Sequence, residues 1–399
     1  MFRAVRHRNY RLFVTGQIVS LVGTWMQNVA VSWLVYRLTH SELLLGTTWF
    51  CLHLPVFLLG PLGGMASDRF SRHRLVVLTQ ILSMLQAMIL AILTLTGLVN
   101  VWHVLVMAAI LGCINAFDMP ARQSLIVELA SKEDLLNAIS LNSAIFNAAR
   151  VIGPGVAGIL VAAVGEGICF LINGFSFVAV IVCLLAMRLP PGRRTVSDSP
   201  WSHLIAGFSY AYRHPVVRPV LLMMAATTIA GMPAVVLMPF FADALFGMGS
   251  QGLGALMGAM GTGAVIGTLV LAGQAETRGL PRTVLISATT MAVCFLVFAW
   301  SPWFWLSLAI MPVIGFSVMR QMASANTLIQ ISIPDHYRGR IMALYAMTVV
   351  GLGPFGSLAS GALAHVWGAR LTVFAGGALA LAATAVFAFK VRSLSQATE

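Results

Sequence analysis

The chain alternates apolar runs of membrane-crossing length with short polar breaks, and this limits the fold more than any other feature. About 20 predominantly apolar residues cross the hydrocarbon of a bilayer. Runs of that kind are read at 11–37, 43–66, 74–97, 101–121, 137–164, 167–188, 217–246, 251–274, 283–300, 303–325, 340–366 and 370–390. The pattern predicts an all-α membrane protein with twelve transmembrane helices. With 59% hydrophobic and only 9% charged residues among 399, the chain has more apolar surface than a water-soluble core can take up. The first run is too long for a signal peptide and lacks a small-residue cleavage site, so it is expected to remain as the first helix.

Position, rather than amount, explains the net charge of +12. If the N-terminus is cytoplasmic, the Lys and Arg residues gather on the inner side, with Arg37 and Arg370 outside and Arg150 within or near the fifth run. This is the positive-inside bias. It predicts a multi-pass protein of the cell inner (plasma) membrane with both termini in the cytoplasm, in contact with membrane lipid and not nucleic acid. The five cysteines lie inside apolar runs without metal spacing and are expected to be free thiols. No metal and no cofactor is implied.

Residues 189–216 interrupt the hydrophobic pattern after six runs and predict an N-terminal six-helix half (1–188), a cytoplasmic linker (189–216) and a C-terminal six-helix half (217–399). Within the linker, Ser199-Pro200 can start an amphipathic surface helix with Trp201, Leu204, Ile205, Phe208 and Tyr212 on one face. The halves also match in detail. Asp118-Met119-Pro-Ala-Arg122-Gln-Ser124-Leu125-Ile126 aligns with Gln321-Met322-Ala-Ser-Ala-Asn-Thr327-Leu328-Ile329 at an offset of 203, which Gly158 and Gly361 share.

Between the second and third runs stands a charged loop, Gly64-Met-Ala-Ser-Asp68-Arg69-Phe-Ser71-Arg72-His73-Arg74, with a decayed copy at Glu276-Thr-Arg278-Gly279-Leu-Pro-Arg282. Gly64 would let the end of helix 2 approach another backbone closely, and Asp68 could accept hydrogen bonds from the start of a neighbouring helix. The pattern Gly-x-x-x-Asp-Arg-x-(small)-Arg in this position resembles the loop signature of the major facilitator superfamily of secondary transporters. That resemblance implies the major facilitator fold, with substrate bound between two six-helix halves. It also implies a cytoplasmic gate in which Asp68 meets the start of helix 11, near Arg338-Gly-Arg340, and Arg72 pairs with Asp118. Gate residues on this reading are Gly64, Asp68, Arg69, Arg72, Arg74, Asp118 and Arg122. Ser71 and His73 depart from the usual pattern.

The fifth run holds Ala149-Arg150-Val-Ile-Gly153-Pro154-Gly-Val-Ala157-Gly158. Proline bends a helix and small residues permit close packing. The run resembles the helix-5 motif of the superfamily's exporters, with Arg150, Gly153, Pro154 and Gly158 as its matching positions. Together with Phe117-Asp-Met-Pro-Ala-Arg-Gln, the whole chain resembles a bacterial efflux branch that includes enterobactin-type siderophore exporters and macrolide-efflux-like proteins.

Only twelve acidic residues are present, and most fall in loops or at run ends. A proton-coupled carrier needs a titratable group inside the membrane. Asp118 is one candidate, either as a gate residue paired with Arg72 or Arg122 or as a proton site. His53 is another, either titratable near neutral pH or simply packed. Arg150 could neutralise Asp118, bind an anionic substrate or snorkel inward. The superfamily's cavity is lined by helices 1, 4, 7 and 10, which makes Gln17, Thr24, Asn28, Asn115, Arg320 and Gln321 candidates for substrate contact or interhelical glue. Few fixed charges in the runs suit a small amphipathic molecule.

The expected activity is secondary transport by alternating access: a monomeric, proton-coupled exporter of a small drug- or siderophore-like molecule. The alternatives are an uptake carrier, a lipid flippase, or a receptor without transport. No GxxxxGK[ST] nucleotide loop and no HExxH or paired-aspartate set within the runs points to an ATP-driven pump or an enzyme.

Overall fold

The computed structural model describes residues 4–131, 133–187, 208–272 and 279–396, with side chains except at 271–272, 335–336 and 391–396. Among these residues, twelve helices are long and apolar enough to span a membrane. In chain order they are α1 (Arg8–Thr39), α2 (Glu42–Arg69), α3 (Arg72–Leu95), α4 (Val101–Leu129), α5 (Leu135–Val164) and α6 (Glu166–Leu185). They continue with α7 (Val217–Leu245), α8 (Gly249–Val270), α9 (Leu280–Trp300), α10 (Phe304–Ser332), α11 (Tyr337–Trp367) and α12 (Ala369–Lys390).

The ends differ from the apolar runs where polar residues prolong a helix. Residues 122–129 continue α4 and residues 326–332 continue α10. Most of the short amphipathic linker helix expected to start at Ser199-Pro200 lies outside the described residues. Its last part, 208–213, is helical, and Phe208 and Tyr212 are exposed. Glu276 and Arg278 of the second charged loop also lie outside the described residues.

Helix ends follow local chemistry. The Ser71 hydroxyl accepts the Arg74 N–H at the start of α3. Asn100 and His103 form a reciprocal capping pair at the start of α4. Gly165 joins α5 to α6 at φ +82°, and Gly368 joins α11 to α12 at φ +80°. Both turns need the left-handed conformation that side chains disfavour, and they are separated by the same offset of 203 found in the sequence. Helices α4 and α10 start at 101 and 304 and end at 129 and 332, again 203 apart at both ends.

α3 shows what kind of solvent the molecule needs. Leu78, Leu82, Leu85, Ile89 and Ile92 recur at helical spacing and are exposed, whereas Thr79, Gln80, Ser83 and Gln86 on the opposite face are buried. An exposed apolar stripe with polar groups inside is the reverse of a water-soluble helix and is satisfied by lipid.

The chain packs as two units. One comprises Met1–His40, Cys51–Asp198 and Gly249–Gly258. Its core joins Tyr10, Phe13, Val76, Leu125, Ile126 and Leu184, and the Tyr10 hydroxyl donates to the Ala138 carbonyl at 2.7 Å. Within it, Gly158 of α5 lies against Gly254 of α8, where an added Cβ would come within 2.9 Å of the Gly254 Cα. The Ser250 hydroxyl also donates to the Gly158 carbonyl at 3.4 Å.

The other unit comprises Ser41–Phe50, Ser199–Met248 and Ala259–Glu399. Val217, Val220, Met223, Val284, Leu328 and Tyr345 contribute to its core, and the Tyr345 hydroxyl donates to the Met322 carbonyl at 2.5 Å. Gly46 of α2 meets Gly361 of α11 as closely as the glycine pair in the first unit, with a Cβ on Gly46 2.9 Å from the Gly361 Cα. α7 and α11 each contain a π-helical turn, at Phe241–Leu245 and Met347–Gly351.

Candidate functional site

Asp118 sits late on α4 and is 1% exposed. A charge at that depth is tolerated only when paired and hydrogen-bonded. Both conditions are met within the first unit. One carboxylate oxygen accepts from the Thr79 hydroxyl at 2.7 Å and from the Gln80 amide at 2.9 Å, both on α3. The other accepts from Arg122, one turn further along α4. Arg122 extends the network to α1 by donating to the Gln17 side-chain oxygen at 3.1 Å. Three helices therefore meet around one ion pair. The Arg122 Nε and the Gln17 amide nitrogen are buried there without a hydrogen-bond partner among the described residues.

The charged loop is organised differently from the expectation that Arg72 meets Asp118. Arg72 donates to Glu128 at 2.5 Å, and its distance to Asp68 is 3.9 Å. The reason is the extra length of α4, which carries Glu128 beyond Asp118 to the level of the loop. Asp68 is half-buried, while Arg69 and Arg74 are exposed. A Cβ on Gly64 would meet nothing within 4 Å. The close approach of α2 to another backbone falls one residue earlier, at Gly63 against Ala116 and Phe117 of α4.

In α5 the guanidinium of Arg150 lies 5.7 Å from the Trp25 ring centroid of α1. Gly153 lets that helix close on α1, since a Cβ there would reach the Trp25 Cβ at 2.5 Å. Pro154 and Gly158 are buried beside it. Thr24 bonds back to the Ser20 carbonyl of its own helix, while Asn28, His53 and Asn115 are half-buried in their helices. In the second unit, Gln321 occupies the repeat position of Asp118 and donates to the Thr227 hydroxyl of α7 at 2.9 Å. Arg320 next to it packs over Phe316 at 5.6 Å, with its Nε buried and lacking a hydrogen-bond partner among the described residues.

The structure adds polar contacts that the sequence reading did not assign. Thr79 and Gln80 hold Asp118. A second buried network runs from Asn173 to Gln27 at 2.7 Å, from Gln27 to Gln86 at 3.0 Å and from Gln86 to the Met107 carbonyl at 3.2 Å. Arg37 grips the nearly buried Glu166 with two hydrogen bonds, at 2.7 and 3.2 Å. The available signal was spacing: positions 79, 80, 83 and 86 repeat a polar residue along one helical face of an otherwise apolar run.

Among the described residues, twelve helices long and apolar enough to span a membrane, a matching pair of long fourth and tenth helices, and an ion pair inside the first unit mark a polytopic membrane protein. The family described as transmembrane secretion effector matches residues 1–399, and the chain belongs to it, within the major facilitator superfamily of secondary transporters. The staphyloferrin A transporter of Staphylococcus aureus is 25% identical over 386 residues, covering 96% of each chain. The multidrug efflux pump Tap of Mycolicibacterium fortuitum is 26% identical over 401 residues, covering 97% of each. Among solved structures, a bacterial homologue of the iron transporter ferroportin in an inward-facing state aligns with a TM-score of 0.74 at 18% identity, over 96% of this chain and 98% of its own.

Proposed function

We propose that this transporter exports a small amphipathic molecule by alternating access, driven by protons moving inward, and that it works as a monomer with both termini in the cytoplasm. The observation that carries the coupling is the buried Asp118–Arg122 pair with its Thr79 and Gln80 partners. While Asp118 is ionised, Arg122 is held on its own helix. A proton on Asp118 would remove the attraction and leave Arg122 to Gln17 of α1, which it already contacts. One titration would thus change the bonding between α1, α3 and α4 together.

Export is supported by the secretion-effector family and by the efflux pump among near full-length relatives. The half-buried polar residues Thr24, Asn28 and Asn115 offer short neutral contacts, which suit an amphipathic substrate. The loop from Gly64 to Arg74 acts, on this reading, as a cytoplasmic gate.

The test is efflux of a panel of amphipathic compounds from cells, with and without a protonophore, for the wild type and Asp118→Asn. Export that collapses with the protonophore and in the variant is expected. Accumulation instead of export would establish uptake, and ligand binding without flux of any compound would establish a receptor. Export that ignores the protonophore would remove proton coupling.

A further inference from the structure

We propose that a cavity where α7 begins and α12 ends binds the phosphate of an anionic phospholipid. The sequence Tyr212-Arg213-His214-Pro215 ends the helical stretch 208–213 and turns the chain into α7. The turn leaves a cavity of about 260 Å3 lined by Arg213, Arg218 and Lys390 together with Tyr212, His214 and two prolines. That is several times the roughly 30 Å3 that one water occupies in the liquid. Among the described residues that line it, none is a carboxylate.

The backbone donors at this helix start are already engaged. The His214 Nδ1 accepts the N–H groups of Val216 and Val217 at 3.3 Å each, and the Arg218 N–H donates to the His214 carbonyl. Pro219 has no N–H to offer. Attraction for an anion therefore comes from the three long basic side chains, reinforced by the positive end of the α7 dipole. Arg218 is oriented by Tyr212, whose ring centroid lies 4.3 Å from the guanidinium carbon.

The apolar surroundings select a lipid over a free anion. One helical turn into each span, Leu222 follows Arg218 on α7 and Val386 precedes Lys390 on α12, and both are exposed, as is Phe389. A phosphate seated among the basic groups would place its acyl chains along these side chains. Basic pockets between spanning helices at the membrane surface are suited to such headgroups. This site is separate from the Asp118 network and does not rest on the transport reading.

The test uses the full-length protein in a neutral detergent, titrated with short-chain phosphatidylglycerol, phosphatidylcholine or inorganic phosphate and followed by native mass spectrometry. Phosphatidylglycerol is expected to bind in preference to the other two. The variant Arg213→Gln/Arg218→Gln/Lys390→Gln should lose affinity by roughly fivefold for each charge removed. A charge-matched variant elsewhere, Arg6→Gln/Arg11→Gln/Arg282→Gln, should bind like the wild type. If the site variant fails to fold, photoreactive phosphatidylglycerol on the wild-type protein should label peptides containing 208–222 and 386–390. Equal loss in the control variant, equal binding of phosphatidylcholine or of phosphate, or labelling elsewhere would overturn the proposal.

Discussion

Arg72 bonds to Glu128 at 2.5 Å, ten residues further along α4 than Asp118. The charged loop therefore anchors to the polar tail of α4, and Asp118 is left to bond with Arg122 and α3. Two ion pairs at two levels of one helix take the place of a single link from loop to carboxylate.

The deeper pair should behave as a unit. Asp118→Asn leaves the half-buried Arg122 guanidinium without its counter-charge, and breaking one side of a fully buried pair costs about 3–5 kcal/mol, an upper bound here. The melting temperature of the purified variant should fall clearly, and Asp118→Asn/Arg122→Gln should recover part of the loss. A double variant less stable than the single would contradict the pairing.

The outer pair is partly solvated, with Arg72 at 21% and Glu128 at 33% side-chain exposure. Its coupling should be small, about 0.2–1 kcal/mol by a double-mutant cycle on thermal stability. The exchange Arg72→Glu/Glu128→Arg should restore most of what either single reversal loses. Asp118 variants should leave this coupling unchanged.

Glycines 155 and 158 offer a matched comparison within α5. At 155 a Cβ would meet nothing within 4 Å, whereas at 158 it would press on the Gly254 backbone. Gly155→Ala should be neutral or stabilising by about 0.5–1 kcal/mol. Gly158→Val should destabilise by about 1–3 kcal/mol. Thermal unfolding of the two variants side by side decides the point.

His214 gives a pH dependence with a definite sign. Burial lowers its pKa below the ordinary 6.5, against an opposing hydrogen bond to the Ser332 backbone. The unfolded chain then binds the proton more readily, so the contribution is fully present above pH 6.5 and is lost as pH falls toward the folded value. Melting curves between pH 5 and 8 should show wild type losing more stability on acidification than His214→Gln. Parallel profiles would disprove the assignment.

The spans were legible because hydropathy needs only composition over about 20 residues. The long polar ends of α4 and α10 were not, since residues such as Glu128 and Asn326 look like loop when judged by hydropathy. The repeat offset of 203 was visible in the sequence, and the turns at Gly165 and Gly368 extend it to backbone conformation. Within the site, Asp118 and Arg122 were identifiable by their spacing of four. The choice of Arg122 over Arg72 as partner depended on rotamers and helix length that no motif encodes. Thr79 and Gln80 were missed because two neutral side chains in an apolar run carry little weight until a carboxylate is placed opposite them.

The inverted face of α3 has a practical consequence for interpreting variants. A change such as Gln86→Leu makes the segment more hydrophobic, so any score based on hydropathy rates it as an improvement. It would also strip a partner from Gln27 and from the Met107 carbonyl, leaving them in a medium with no water to substitute. Along this helix the harmful replacements are those that make it look more like a membrane span.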